Sequence, residues 1–328
     1  MKKNSFVVTD KHGKCLCIKN KPEFKVVTTN TREGRGLWEK CIKCGLVINR
    51  SGVDKFEVEN YYNSTYQDLN SFSSGKVLSP QEHYDIAIES MRPVAKQLLP
   101  YLKPNWRVMD IGAATGEFLN LIKDQVDYCL GVELNETYCQ FMRNELGIDA
   151  TSEDYFTLDA DEGFDMIVIN ATIDHMFNSL AVLDKIIYDL KPGGLLYIQS
   201  PNDNQALRTF LPEPSRTNFE RFMYQRAHYL SFSMNTLQRA LKQVGFRIIE
   251  SSTRHDYTLK NFLQWYYLGK PQKDMYDAKV QEEFFTDVND FSVEMNQLLV
   301  EADFEFHNIL RKYEAGELLC IVAEKIEQ

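Results

Sequence analysis

The chain has 328 residues, of which 44% are hydrophobic, and a formal net charge of −10. A chain of this length buries roughly 75% of its unfolded surface, so it has room for one large domain with attachments. No apolar run approaches the ~18 residues of a membrane span, and Lys2 and Lys3 precede no apolar signal core, which predicts a cytoplasmic protein. Seven cysteines, an odd number without a secretory signal, argue against a disulfide framework and for thiols or metal ligation.

Residues 1–50 hold 12 Lys and Arg against 4 Asp and Glu, a formal +8, which leaves −18 on the remainder to give the total of −10. Such a basic segment suits phosphates on a nucleotide, a lipid-linked glycan or RNA, or is merely a solvated lysine-rich face. The acidic remainder would repel a long polyanion, which makes nucleic acid an unfavourable partner. Four cysteines lie in the basic segment, as Cys15-Leu-Cys17 and Cys41-Ile-Lys-Cys44-Gly45. The C-x-x-C-G turn aims two sulfurs at one ion, and glycine relieves the backbone beyond it. The first pair is tighter than the usual spacing, so His12 is a substitute ligand for one of its members. The reading favours Cys15, Cys17, Cys41 and Cys44 as a structural zinc site. With short strands expected between residues 24 and 40, residues 1–55 form a zinc ribbon that needs its metal to fold.

Asn60 to Tyr66 and the polar run Asn70 to Gly75 read as a linker or lid, whose Tyr61, Tyr62 and Tyr66 close over a ligand or pack the ribbon onto the main domain. Pro80 to Leu102 follows with helical apolar spacing and a break or bend expected near Pro93. Residues 56–105 therefore serve as linker and covering helix.

Trp106 to Met109 reads as a buried parallel strand leading into Val108-Met-Asp-Ile-Gly-Ala-Ala-Thr-Gly116. Gly112 and Gly116 allow a tight turn, and Glu117 to Ile122 reads as the helix after it. The next strand, Tyr128 to Val132, ends in Glu133, where a carboxylate can accept both hydroxyls of a ribose. Dinucleotide sites use G-x-G-x-x-G to bring a pyrophosphate onto bare backbone. Here Asp110 precedes the first glycine, which repels a pyrophosphate and suits a cationic amino group.

In these residues the chain resembles the class I S-adenosylmethionine-dependent methyltransferases, whose first motif commonly reads D-x-G-x-G-x-G. The resemblance implies that Asp110, Gly112, Ala114 and Gly116 hold the methionine portion of the donor and Glu133 its ribose. Ala114 stands where the motif has its middle glycine and asks only for slightly more room. Glu136 to Leu146 reads as a helix and Ile148 to Ser152 as a third strand; in the family, residues after that strand contact adenine, which makes Glu153 and Asp154 candidates. Phe164 to Asn170 is an apolar run whose polar end, Asn170, lies where ligands of open α/β sheets gather. Leu190-Lys-Pro-Gly-Gly and the strand after it are also similar to the family, so the resemblance spans roughly residues 106 to 250. Some members that act on sugars, other small molecules or ribosomal RNA resemble this chain in carrying an N-terminal zinc ribbon.

Methyl transfer needs an aligned acceptor and, for a hydroxyl, a base. His175, in an Asp-His step after the fourth strand, and His228, in Ala227-His-Tyr-Leu-Ser-Phe-Ser233, match positions where related enzymes often carry histidine. The alternative roles are loop ordering for His175 and a backbone contact for His228. Arg208, Arg216, Arg221 and Arg226 occupy a long loop that suits a phosphorylated acceptor, or they form surface ion pairs. Phe246 to Ser252 and Glu317 to Ala323 read as the sixth and seventh strands, separated by a helical insertion, residues 259–315, whose aromatic residues pack within the chain, wall the acceptor pocket or form a homodimer face. Residues 106–258 and 316–328 make up the main domain.

The expected architecture is thus α/β, a Rossmann-like seven-stranded methyltransferase sheet with an N-terminal zinc ribbon and a C-terminal helical insertion. The expected activity is O-methylation of a sugar, nucleotide sugar or glycan intermediate, using S-adenosyl-L-methionine and a histidine base. The alternatives are an RNA methyltransferase that grips phosphate with the ribbon, and a non-catalytic scaffold of the same fold.

Overall fold

The structure is a computed structural model and describes residues 15–17, 22–51, 78–160, 162–273, 278–279 and 285–326. The expected linker or lid, with its three tyrosines, and His12 lie outside the described residues. A central sheet is built from β4 (Arg107–Ile111), β5 (Tyr128–Val132), β6 (Asp149–Thr151), β7 (Phe164–Asn170), β8 (Leu190–Pro201), β10 (Phe246–Arg254) and β11 (Leu318–Lys325). Its strand order is β10-β11-β8-β7-β4-β5-β6, with only β11 antiparallel to its neighbours. The order reverses between β4 and β7, and ligands of open α/β sheets bind outside the strand ends at such a reversal.

The strands read as continuous apolar runs because both faces are covered. Along β7, Met166 and Val168 belong to one buried cluster, while Ile167 and Ile169 belong to the other. Helices α1 (Pro80–Leu98) and α2 (Glu117–Ile122) cover the first face with Val94, Leu98, Phe118 and Leu119. Helix α1 starts at a capping box in which Glu82 N–H donates to Ser79 Oγ and Ser79 N–H to Glu82 Oε2. It continues through Pro93 to Leu98, where a break was expected, and ends in a short 3-10 turn. Helix α3 (Glu136–Phe141) passes into a π-turn, Met142–Leu146, so the regular helix is shorter than the apolar pattern suggested.

The second face is covered by α4 (Ser179–Asp189) and α7 (Met234–Val244). The same buried cluster includes Leu16, Leu46 and Ile48 of the N-terminal module. That module contains β1 (Phe24–Thr31), β2 (Gly34–Cys41) and β3 (Val47–Asn49). Its sheet gains a fourth strand from the main domain, β9 (Leu230–Ser231), which pairs with Val47 and Ile48. The ribbon therefore shares both a sheet and a core with the larger domain.

Between β8 and α7 the chain forms α5 (Ala206–Phe210) and α6 (Ser215–Met223). The insertion contributes α8 (Leu259–Leu268) and α9 (Asp290–Lys312). Its aromatic residues divide between two environments. Trp265 of α8 is buried against Phe219, 5.0 Å between ring centroids, whereas Phe291 and Phe304 of α9 are largely exposed. Among the described residues, no helix is long and apolar enough to cross a membrane.

Candidate active site and cysteine cluster

The turn between β4 and α2 sets the first half of the site. Gly112 (φ +77°) and Gly116 (φ +88°) are in the left-handed region, where a side chain is disfavoured. At Gly112 an added Cβ would come 2.3 Å from Thr172 Oγ1, so the turn and the loop after β7 are in direct contact. Ala114 also has positive φ, at +47°. Its departure from glycine is therefore a matter of backbone strain, of order ~1–3 kcal/mol, and not of room alone.

Three acids converge there. Asp110 is buried at the end of β4, and no hydrogen bond to Oδ1 is found among the described residues. Burial, then Glu117 and Glu133, pushes its carboxyl up to about 8. Glu133 follows β5 and accepts N–H bonds from Ala114 at 3.1 Å and Asn135 at 2.9 Å. Burial raises its pKa as well, with those two donors opposing the shift. Glu117 accepts from Thr115, and both lie 3.2 Å from His83 Nδ1 on α1. This cluster of buried acids suits a cationic ligand, beside which a carboxyl gives up its proton, and is hostile to a pyrophosphate.

Glu153 is exposed, while Asp154 is half-buried and accepts a bond from Phe156 N–H at 2.9 Å, so one of the two expected adenine contacts already orders its own loop. Asn170 ends β7 with its Nδ2 3.3 Å from Met91 Sδ and its Oδ1 buried without a partner among the described residues.

The second half of the site brings together residues far apart in the chain. His175 closes a 3-10 turn after β7, and His228 precedes β9, yet their rings meet edge to face with centroids 4.2 Å apart. Buried Asp174 serves both: its Oδ2 is 3.4 Å from His228 Nδ1 and 3.7 Å from His175 Nε2. Tyr229 N–H donates to Asp174 O at 2.7 Å, and Asn49 of the ribbon donates to His228 O at 2.8 Å. Burial lowers the pKa of both histidines; Asp174 opposes the shift at His175, and His175 adds to it at His228. Both rings are therefore neutral near pH 7 and able to accept a proton.

Asp174 and His83 were missed as site residues. The first had a signal, since it is the acid of the Asp-His step. His83 had none, because only the packing of α1 over the turn brings it to Thr115 and Glu117.

Two of the expected loop arginines form ion pairs, the alternative the sequence offered. Arg208 pairs with Asp203 at 3.1 Å and Arg216 pairs with Glu213, while Arg221 is exposed. In the ribbon, Lys40, Lys43 and Arg50 each meet a carboxylate: Asp203, Glu23 and Glu39.

Cys15, Cys17, Cys41 and Cys44 are all free thiols, and their sulfurs lie within 4.8 Å of one another. Cys17 and Cys41 are 3.8 Å apart at sulfur. A tetrahedral ion with ~2.3 Å metal–sulfur bonds places its ligands about 3.8 Å apart, so the set fits one thiolate-bound ion. The tight first pair thus joins the second in one cluster of sulfurs.

The strand order, the acidic glycine turn and the acid after the second strand define a class I methyltransferase fold. The methyltransferase-domain family model matches residues 66–251, more than half of the chain. The chain belongs to that family and, with it, to the class I S-adenosylmethionine-dependent methyltransferases. It is similar to a trans-aconitate 2-methyltransferase of Rhizobium rhizogenes (strain K84 / ATCC BAA-868), with 29% identity over 117 residues, 35% of this chain and 43% of that protein. The chain thus spans less than half the length of this curated relative. Among solved structures it is similar to a SAM-dependent methyltransferase from Archaeoglobus fulgidus, at 23% identity and TM-score 0.44, over 74% of this chain and 100% of that one. The N-methyltransferase NodS from Bradyrhizobium japonicum WM9, in complex with S-adenosyl-L-homocysteine, is similar at 14% identity and TM-score 0.46, over 82% of this chain and 100% of that one.

Proposed function

We propose that the chain transfers the methyl group of S-adenosylmethionine to the oxygen of a small polar acceptor, a sugar, nucleotide sugar or glycan intermediate. The observation that carries this reading is the Asp174, His175 and His228 cluster beside the donor turn. Thr172, two residues before Asp174, is what an added Cβ at Gly112 would meet, so the loop that carries Asp174 and His175 lies against the glycine turn.

In this reading Asp110 meets the ammonium of the donor, Glu133 its ribose, and His228 the acceptor hydroxyl. Asp174 faces His228 Nδ1, which favours the tautomer with the proton on that nitrogen and leaves Nε2 to accept. A contact of 3.4 Å is long for a hydrogen bond and would tighten when the acceptor is in place. As the hydroxyl proton passes to Nε2, the oxygen forms the C–O bond and the C–S electron pair returns to sulfur. The donor, when bound, supplies an activated methyl and a neutral thioether leaving group.

The acidic remainder of the chain, a formal −18 outside residues 1–50, favours a small acceptor over RNA, and three of the described ribbon cations, Lys40, Lys43 and Arg50, already meet carboxylates. We propose further that the four cysteines hold one structural zinc, which leaves no open position for catalysis.

The test follows a labelled methyl group into a panel of hydroxylated acceptors. His228→Gln is expected to lower kcat about 10²- to 10⁴-fold, the usual contribution of a general base, while donor affinity changes by less than about threefold. Unchanged turnover in that variant would assign the proton elsewhere.

A further inference from the structure

A cavity of about 190 Å³ lies under the insertion, between α1, the β10–β11 pair and α9. None of the residues assigned above to donor or acceptor chemistry lines it. Its wall includes Gln97, Ser252, Arg254, His255, His307 and Arg311, and no carboxylate.

The side chain of His255 is 3% exposed. Its Nδ1 accepts the Glu317 N–H at 3.3 Å, which places the ring proton on Nε2. That Nε2–H is buried and has no hydrogen-bond partner among the described residues. A buried donor without an acceptor is destabilising and marks a missing partner. Burial and the neighbouring His307 hold the imidazole neutral, with its pKa down at about 3.

Charges of both signs surround the cavity, with Glu250 accepting from Gln97 Nε2 at 2.8 Å. Arg254 is fixed by Asp256 through two bonds of 2.7 Å, and Lys279 shares the same carboxylate at 3.6 Å. Behind His255, burial pushes the Glu317 carboxyl up to about 8, so it carries little charge at neutral pH. His307 Nε2 lies 3.0 Å from Tyr257 O and 4.0 Å from Asp303. Arg311 donates to Asn308 Oδ1 at 3.1 Å and pairs with no carboxylate among the described residues.

We propose that this cavity binds a compact oxyanion, a phosphate or carboxylate group, between the His255 Nε2–H and the Arg311 guanidinium. A guanidinium fork and a buried, unpartnered N–H donor on the wall of one cavity are the chemistry such groups require. The inference rests on the cavity alone and survives any outcome for the methyl acceptor.

The experiment titrates inorganic phosphate and, separately, acetate into the full chain, with potassium chloride at matched ionic strength as control. Thermal melting and 31P line width are the readouts. A saturable rise in Tm beyond the chloride control is expected from at least one anion, and the more effective one identifies the group. Arg311→Glu, at an exposed position of α9, should weaken that response at least tenfold and leave donor affinity unchanged. His255→Phe should do the same, and Arg311→Glu alone decides the matter if the buried substitution fails to fold. No response to either anion, or an equal response in Arg311→Glu, would overturn the proposal.

Discussion

In the proposed donor site, Asp110 carries the electrostatic logic. In the free protein its carboxyl is held near 8, so near pH 7 most molecules keep a proton there. An ammonium placed beside it favours the carboxylate, and that proton must then leave. Calorimetry at pH 7 in buffers of different ionisation enthalpy should therefore show close to one proton released per donor bound. Asp110→Asn should abolish the release and weaken binding; heats independent of the buffer would remove Asp110 from the ammonium. The same raised pKa sets the sign of the stability change. Between the unfolded value, about 4, and the folded value near 8, the folded chain holds a proton that the unfolded chain has lost, so this contribution to stability falls as pH rises through that window. Glu133→Ala is expected to cost at least about tenfold in donor affinity, the order of one or two charge-assisted hydrogen bonds to ribose.

These two acids were legible in the sequence because their meaning is local: each lies at the end of an apolar run, a fixed step from a glycine or a turn. The histidines were legible as individuals but not as a pair. What joins them is Asp174, whose backbone and carboxylate meet the chain near Tyr229 and His228 only after the fold has closed.

Among elements, the turn from β4 to α2 tolerates least change. A side chain at Gly112 meets Thr172 and also demands a left-handed backbone. Gly112→Ala should lower stability by about 1–3 kcal/mol and disturb the loop that carries Asp174 and His175. Gly193 is the control, since its φ is +70° but nothing lies within 4 Å of an added Cβ. Gly112→Ala should lower turnover and melting temperature together, whereas Gly193→Ala should lower only the latter. Equal turnover in the two variants would show that Thr172 adjusts at no cost.

Strands at this scale were predicted well where burial on both faces leaves an unbroken apolar run, as in Tyr128–Val132 and Phe164–Asn170. Helix Met234–Val244 was bounded by Ser233 and Gly245, its two caps. The two-residue strand Leu230–Ser231 carries no periodic signal, so the partnership that makes it a strand could not be read. Of the break or bend expected at Pro93, the break does not occur: α1 runs through it, with Val94, Ala95 and Leu98 buried beyond it.

At the scale of the whole molecule, the cysteine cluster and the histidine pair are mechanically linked. The strand that follows Cys44 pairs with the strand that follows His228, and Asn49 holds the His228 carbonyl. Metal analysis of freshly purified, unchelated protein should return about one zinc per chain. Chelation should lower Tm and reduce kcat more than donor affinity, because the ribbon pairs directly with the strand that follows His228. Full activity in a metal-free, monodisperse sample would mean that the sulfur cluster holds nothing the site depends on.

The seam between β3 and β9 also orders events during synthesis. Val47 and Ile48 leave the ribosome long before Leu230 and Ser231, so the ribbon first emerges with one hydrogen-bonding edge bare. A metal can gather the four sulfurs early, yet the nascent module remains an open template until the second half of the main sheet has been translated. Any cell that makes this protein must shield that edge in the interval.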